Sequence, residues 1–227
     1  MVRHLLIPAL VITVAAGLAG CSSENDTEAG GQSTKPDSLC GVAKDSAAHK
    51  ALIDLAGTKD MKSMDFAGVA KVAKDMKSNL TAPLEDRKRS ACGVYPATDA
   101  NNGITFDFSW DERFSFKESS SPQSDAVFYN LGDAVGQTLS DKASYIYLPC
   151  DVPGAKESGN RLVAAHAYNS MPQNGQVEEN SGDNQLLVLN AVSRELVSEL
   201  GCANDPLKGA PDLKHYPTMS DAAGAPS

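Results

Sequence analysis

Apolar and polar residues alternate between residues 104 and 116, and this is the clearest periodic pattern in the chain. A period of two predicts a long β-strand, or two strands that meet near Asp111 and Glu112, with one buried face and one hydrated face. Four of the six phenylalanines and the single tryptophan lie on the apolar side, so we expect this strand to form the floor of the core. The apolar positions are Ile104, Phe106, Phe108, Trp110, Phe114 and Phe116.

Three other segments carry apolar residues at the three- and four-residue spacing that is typical of amphipathic helices. The first is predicted over residues 39–56, the second over residues 66–80, and the third ends at Gly201. Small polar residues and a glycine mark their ends, as expected for helix caps. These end residues are Asp37 or Ser38 and Gly57 for the first helix, and Ser181 or Asp183 for the start of the third.

Shorter strands are predicted over residues 126–129, 143–150 and 161–169. The last two are separated by a polar loop at 152–160, which favours an antiparallel pair. Two helices, then strands, then a helix predict an α+β domain in which helices pack on one face of an antiparallel sheet.

The N-terminal segment has the composition of an export signal. Residues 1–4 are basic, residues 5–20 are almost wholly apolar, and the segment ends in Leu-Ala-Gly followed by Cys21. This ending resembles the bacterial lipobox, which implies that residues 1–20 form a lipoprotein signal peptide and that Cys21 is acylated with diacylglycerol. The alternative is an uncleaved transmembrane helix, but the apolar run is shorter than the about 20 residues that span a bilayer. We therefore expect a lipid anchor at the extracytoplasmic face of the cell membrane.

Composition divides the remainder of the chain. Residues 21–38 are polar and are predicted to form a flexible tether, residues 39–207 a single α+β domain, and residues 208–227 a flexible C-terminal tail. The net charge of −9 argues against nucleic-acid partners and against electrostatic docking on anionic lipid. Membrane contact is thus left to the lipid on Cys21.

Four cysteines follow Cys21, and an even number in an exported chain predicts two disulfides. Three pairings exist. Equal separations favour Cys40 with Cys92 and Cys150 with Cys202, each tying a helix end to the sheet. Zinc binding is disfavoured because the chain has no C-x-x-C pair, and we predict no metal site and no cofactor.

The familiar catalytic signatures, such as a nucleophile elbow or a zinc-protease helix, are missing from the sequence. His166 lies in a predicted strand and is a candidate general base, although a strand histidine is more often a packing residue. Asp107, Asp111 and Glu112 could form a carboxylate pair for acid–base chemistry. Their ordinary interpretation is as solvated charges on the hydrated face.

The other polar signals are weaker. His49 is expected to be solvated on a helix, and His215 to lie in the tail without a role. The segment from Asp99 to Gly103 resembles a calcium loop faintly, but a turn explains it better because the ligand spacing is one residue short. One basic patch is expected to be a hydrated surface rather than an anion site, and it consists of Lys71, Lys74, Lys77, Arg87, Lys88 and Arg89.

The order of these motifs resembles a group of actinobacterial, Streptomyces-type secreted lipoproteins of unknown function. The shared features are a lipobox, a polar spacer and four short cysteine motifs. These are Leu39-Cys40-Gly41, Cys92-Gly93, Leu148-Pro149-Cys150 and Leu200-Gly201-Cys202. The resemblance implies the same disulfide pairing and fold class, and it carries no catalytic residue to this chain.

Two functions are compatible with these features. The first is a non-enzymatic binding module for an envelope protein or a small ligand. The alternative is an extracytoplasmic hydrolase with a site near His166, which requires that histidine to lie in a concave pocket within hydrogen-bond reach of a carboxylate or hydroxyl.

Overall fold

The computed structural model describes residues 38–80, 88–112, 125–140, 142–155, 161–171 and 181–225. The expected signal peptide, Cys21 and nearly all of the tether lie outside the described residues, as do Phe114, Phe116, Arg87 and the side chain of Glu112. The helices are α1 (Ala47–Ala56), α2 (Val69–Ser78), α3 (Ser181–Leu200) and α4 (Met219–Gly224). The strands are β1 (Ser38–Leu39), β2 (Val42–Ala43), β3 (Met61–Asp65), β4 (Arg89–Pro96), β5 (Ile104–Glu112), β6 (Ala126–Asn130), β7 (Val135–Leu139), β8 (Ala143–Pro149) and β9 (Arg161–Asn169).

A seven-stranded antiparallel sheet with the order β3-β4-β5-β9-β8-β7-β6 forms the body of the domain. β1 and β2 form a separate small hairpin. The last of the described strands, β9, lies in the middle of the sheet and joins the β3–β5 meander to the β6–β8 meander. The predicted α+β class, the antiparallel sheet and the pairing of β8 with β9 are confirmed.

The main core lies between one face of the sheet and the helices. α2 and α3 pack on this face, and α1 packs against α3. The alternation in β5 is confirmed over its described length, because Ile104, Phe106, Phe108 and Trp110 are buried on this face. Trp110 also donates its indole N–H to the carbonyl oxygen of Met76 at 2.8 Å, which satisfies its only polar group and fixes α2 on the strand.

Both expected disulfides are present. Cys40 is bonded to Cys92 in β4, and Cys150 at the end of β8 is bonded to Cys202 after α3. The Cα atoms are 5.9 Å apart in the first pair and 5.0 Å in the second. The first bond fixes the beginning of the domain to the sheet, and the second fixes the end of the long helix.

The first helix begins later than predicted. The backbone at Cys40 and Gly41 has φ of +54° and +81°, which forms the tight β1–β2 turn and excludes a helix there. α1 starts after Ser46, whose hydroxyl accepts the N–H of His49 at 3.1 Å as an N-cap. It ends before Gly57 as expected.

The second helix is also shorter than predicted. Gly68, with φ of +76°, precedes α2, and Phe66 is 48% exposed instead of lying on the buried helix face. The amides of Phe66, Ala67 and Gly68 all donate to the carbonyl of Ala91, which holds this loop against β4. Three strands, β3, β4 and β7, were not predicted from the sequence, and Cys92 lies inside β4.

The expectation of a flexible C-terminal tail over residues 208–227 is wrong for α4. Met219 and Ala222 of α4 are buried against Phe128 and Val135. These two residues lie on the sheet face opposite α3, so α4 covers one end of that second face. Asn130 donates from Nδ2 to the carbonyls of Ala222 and Ala225 at 2.8 and 3.0 Å. These hydrogen bonds help to hold α4 on the sheet, because its small side chains bury little apolar surface.

Candidate functional site

The sheet face opposite α2 and α3 carries a row of polar side chains across neighbouring strands. Antiparallel pairing places Ser90 opposite Asp107, Asp107 opposite His166, and His166 opposite Tyr145. Gln137 in β7 continues the row opposite Tyr145. Since paired residues in an antiparallel sheet project to the same face, five strands contribute to one line of groups that form hydrogen bonds.

Asp107 is the centre of this row. Its side chain is only 9% exposed, and its Oδ1 accepts a hydrogen bond from the hydroxyl of Ser90 at 2.6 Å. Its Oδ2 lies 2.9 Å from Nζ of Lys88 and 3.6 Å from Nδ1 of His166. Burial by itself raises the pKa of Asp107, but the contacts with His166, Ser90 and Lys88 outweigh it and hold the pKa well below its usual range. Asp107 is therefore an ionised carboxylate that is largely withdrawn from water.

Aromatic rings continue the site along β8. The ring of Tyr145 stacks on that of His166 with centroids 4.6 Å apart and an interplanar angle of 17°. Tyr145 and Tyr147 are almost parallel, with centroids 6.2 Å apart and an angle of 4°. Burial, followed by the neighbouring Tyr145 and Asp111, raises the pKa of Tyr147 to about 12, so its hydroxyl remains protonated at neutral pH.

These groups line a pocket of about 300 Å³ on the open face, at the lower end of the range for small-molecule sites. Its lining residues are Lys88, Asp107, Phe108, Ser109, Asp111, Tyr145, Tyr147, Ala164 and His166. The structure thus brings His166, Asp107 and Asp111 together, although they were separate candidates in the sequence. The expectation that Asp107 is a solvated surface charge is wrong, because its carboxylate is buried and has three polar partners.

The contact between His166 and Asp107 has a chemical consequence. An ionised carboxylate beside Nδ1 favours the tautomer that carries the proton on Nδ1 and leaves Nε2 as an acceptor. The distance of 3.6 Å is longer than a standard hydrogen bond but lies within the range of an ion pair. His166 therefore lines a pocket, as the hydrolase hypothesis requires, but the Asp107 oxygen at 3.6 Å lies beyond the hydrogen-bond reach that the hypothesis also requires.

His215 has more partners than the sequence indicated. Its Nε2 lies 2.9 Å from Oδ1 of Asp183, the same oxygen that accepts the hydroxyl of Tyr129 at 2.8 Å. The His215 ring stands edge-on to Tyr129 at 5.2 Å. Burial, and then the contact with Asp183, raise the pKa of Tyr129 well above its ordinary value. This cluster joins the C-terminal segment to the first turn of α3, and no periodic pattern pointed to it.

The remaining candidates have local roles. Nδ1 of His49 accepts the amide of Asp45 at 3.4 Å. The carboxylate of Asp99 accepts from Asn101 and Asn102, so this segment forms the expected turn. Lys77 donates to the carbonyl of Glu199 at 2.8 Å, near the end of α3, where a cation is favourable.

A second concavity of about 470 Å³ lies beside the C-terminal end of α3. Its charged groups, Arg194, Asp205 and Lys208, are all exposed. It therefore lacks a buried charge comparable to Asp107. Within the described part of the chain, His, Cys, Asp and Glu side chains do not form a group of three or more that could hold a metal ion.

No protein-family model, no curated protein and no solved structure matches this chain. Among the helices of the described ranges, none has the length and apolar character that crossing a membrane requires. The geometry of the open-face pocket and the sequence of the N-terminal segment are thus the features that bear on function.

Proposed function

We propose that this protein is a lipid-anchored binding module at the extracytoplasmic face of the cell membrane, and that it holds a small ligand in the open-face pocket. The observation that carries the proposal is the placement of Asp107. An ionised carboxylate is costly to withdraw from water unless it is paired and hydrogen-bonded. A charged residue that served only solubility would gain nothing from such burial.

The pocket has the features of a prepared site. Its floor consists of β5, β8 and β9, which are central strands of the sheet, so its side chains stand on rigid elements. Asp107 is held by Ser90 and Lys88, and His166 is held between Asp107 and the ring of Tyr145. Binding to such fixed groups loses less conformational entropy than binding to mobile side chains.

Two features support the anchored location. The lipobox-like sequence before Cys21 predicts acylation, and both disulfides of the domain are typical of an oxidising compartment. Membrane fractionation with palmitate labelling tests the anchor. The wild-type protein should be labelled and sediment with membranes, whereas Cys21→Ser should be released or accumulate as precursor. Labelling that survives Cys21→Ser contradicts the proposed anchor.

Binding is tested on the full chain purified from membranes in detergent, by ligand-observed NMR with a library of small polar and aromatic fragments. Fragments that occupy the pocket should lose their signal with Tyr145→Ala. Tyr168→Ala is the matched control, because Tyr168 lies on the same face in β9, is 48% exposed and does not line the pocket. Equal effects of the two changes, or no fragment bound to the wild-type protein, would contradict a binding pocket.

The contact of Asp107 with His166 favours a second candidate, an extracytoplasmic hydrolase in which His166 Nε2 removes a proton from water or from the hydroxyl of Ser109. Incubation of the full chain with chromogenic esters, glycosides and phosphate esters tests it. Hydrolysis should fall at least about 100-fold with His166→Ala and persist with His49→Ala. The absence of turnover, or turnover that His166→Ala leaves unchanged, rules this candidate out.

A further inference from the structure

We infer that the open-face pocket takes a neutral carbohydrate, with one sugar ring lying against the aromatic side chains of β8. This inference rests on the proposed function and names the chemistry of its ligand. A pyranose ring offers an apolar face of C–H groups and a rim of hydroxyls that both donate and accept hydrogen bonds. The pocket offers a matching combination of surfaces.

The apolar part of the match is the row of rings. The ring of His166 stacks on one face of Tyr145, and the ring of Tyr147 is nearly parallel to that of Tyr145, so the three rings form one aromatic strip in the pocket. Aromatic rings supply a large rigid contact area with few rotatable bonds. Burial of C–H groups against such a strip is favourable because it removes apolar surface from water.

The polar part of the match surrounds this strip. Lys88 is a donor, Asp107 and Asp111 are acceptors, and the hydroxyl of Ser109 can do both. His166 adds an acceptor at Nε2 when its proton is on Nδ1. A ligand with several adjacent hydroxyls can use donors and acceptors at the same time, whereas a simple ion uses only one kind.

The charges of the site argue against strongly charged ligands. Lys88 lies 2.9 Å from Asp107, so the ammonium group of the one lysine in the pocket lining already compensates the buried carboxylate. A phosphate or carboxylate ligand would meet two aspartates of the same charge, Asp107 and Asp111, which repel it. A quaternary ammonium would meet the Lys88 ammonium beside the aromatic strip, which weakens a cation–π contact.

The size of the site sets the length of the ligand. A volume of about 300 Å³ accommodates one or two sugar rings. The pocket lies on the open sheet face, so a longer chain can leave it at the side. Both a free oligosaccharide and a polymer segment are therefore compatible with this geometry.

The test uses the full chain in a polyoxyethylene detergent, since detergents with sugar or choline headgroups would compete. A glycan array and three soluble probes, maltotriose, cellotriose and N,N′,N″-triacetylchitotriose, are compared with choline and inorganic phosphate by saturation-transfer NMR and calorimetry. We expect binding of at least one glycan and none of choline or phosphate. Binding to soluble probes indicates a free oligosaccharide, and binding only to immobilised long glycans indicates a polymer.

Three variants locate the ligand. Tyr145→Ala should weaken glycan binding at least about tenfold, Tyr145→Phe should retain most of it because the ring remains, and Tyr168→Ala should leave it unchanged. Thermal unfolding of each variant verifies that it is folded. If choline, phosphate or a fragment binds in the pocket while no glycan does, the ligand class is wrong and the binding module stands. If nothing binds there, both proposals fail.

Discussion

Ser90 and Cys92 lie two residues apart in β4, yet their side chains lie on opposite faces of the sheet. Ser90 is paired with Asp107 on the open face, and Cys92 is paired with Phe106 on the core face. The register shift between them marks a β-bulge in which Ala91 is the extra residue. One irregularity therefore lets the same strand supply a hydroxyl to Asp107 on the open face and a half-cystine to the core.

Deletion of Ala91 should convert this bulge into regular strand. Ser90 and Cys92 would then be adjacent and would keep their faces, so the Cys40–Cys92 disulfide should still form. The amides of Phe66 and Gly68 would lose the carbonyl that they share. We expect a loss of about 1–3 kcal/mol in unfolding free energy, with faster hydrogen exchange at these amides. Ala91→Gly keeps the bulge and should preserve their protection; loss of the disulfide in the deletion variant would contradict this account.

Asp107→Asn should change how stability depends on pH. The depressed pKa of Asp107 means that its stabilising effect is complete above the unfolded-state pKa of about 3.9 and is lost as the pH falls through the lower folded-state value. At pH 7 the variant should be about 2 kcal/mol less stable, since hydrogen bonds to a charged group are lost. Denaturant unfolding at a series of pH values should show this difference shrinking below about pH 4.

The matched control for Asp107→Asn is Asp125→Asn, because Asp125 is an exposed carboxylate outside the pocket. It should alter stability by less than about 0.5 kcal/mol. A pH-independent penalty for Asp107→Asn would show that packing, and not the ionised carboxylate, accounts for its effect.

Asn130→Ala should release α4 from the sheet while the main core stays folded. The variant loses both hydrogen bonds from Nδ2 to the carbonyls of Ala222 and Ala225. We expect hydrogen exchange in α4 to accelerate and limited proteolysis to cut near its start, with a smaller change at α3. Asn79→Ala is the control, since Asn79 is exposed and its Nδ2 donates to the carbonyl of Asp75 in its own helix. Equal protection of α4 in both variants would contradict the view that the Asn130 hydrogen bonds hold α4 on the sheet.

Removal of the second disulfide, with Cys150→Ser and Cys202→Ser together, should cost about 4 kcal/mol of unfolding free energy. The bond closes a loop with a sequence separation of 52 and holds the C-terminal end of α3 beside the end of β8. Denaturant unfolding of the wild-type and double-variant proteins measures the difference. A penalty below about 1 kcal/mol would indicate that packing of α3 suffices without the bond.

The sequence predicted the elements whose patterns are regular. Odd and even positions of β5 separate cleanly into the two faces, and the runs of apolar and aromatic residues in β8 and β9 are similarly clear. β4 was not predicted because its bulge interrupts the alternation of apolar and polar residues. β7 has a glycine and two polar residues among its five, and its Gly136 is required because a Cβ there would meet the side chain of Leu186 at 2.8 Å.

The site could be predicted only in parts. His166 and Asp107 were both recognisable as candidates, but their contact depends on β9 inserting next to β5 across more than 50 residues of chain. Local periodicity contains no information on that pairing. The burial of Asp107 depends in turn on Ser90 and Lys88, which a bulged strand presents. The Asp183–His215 contact could not be predicted either, since no periodic pattern indicates that its two segments meet.

The central position of β9 also has a consequence for folding during synthesis. Until residues 161–169 emerge, β5 and β8 each have an edge without a neighbour, and the two meanders cannot merge into one sheet. A nascent or truncated polypeptide that stops before residue 161 would therefore expose two unpaired strand edges to other chains or to proteases. Chaperones and proteases would bind such a fragment at these edges, and the intact protein avoids this because β9 pairs with β5 and β8 at once.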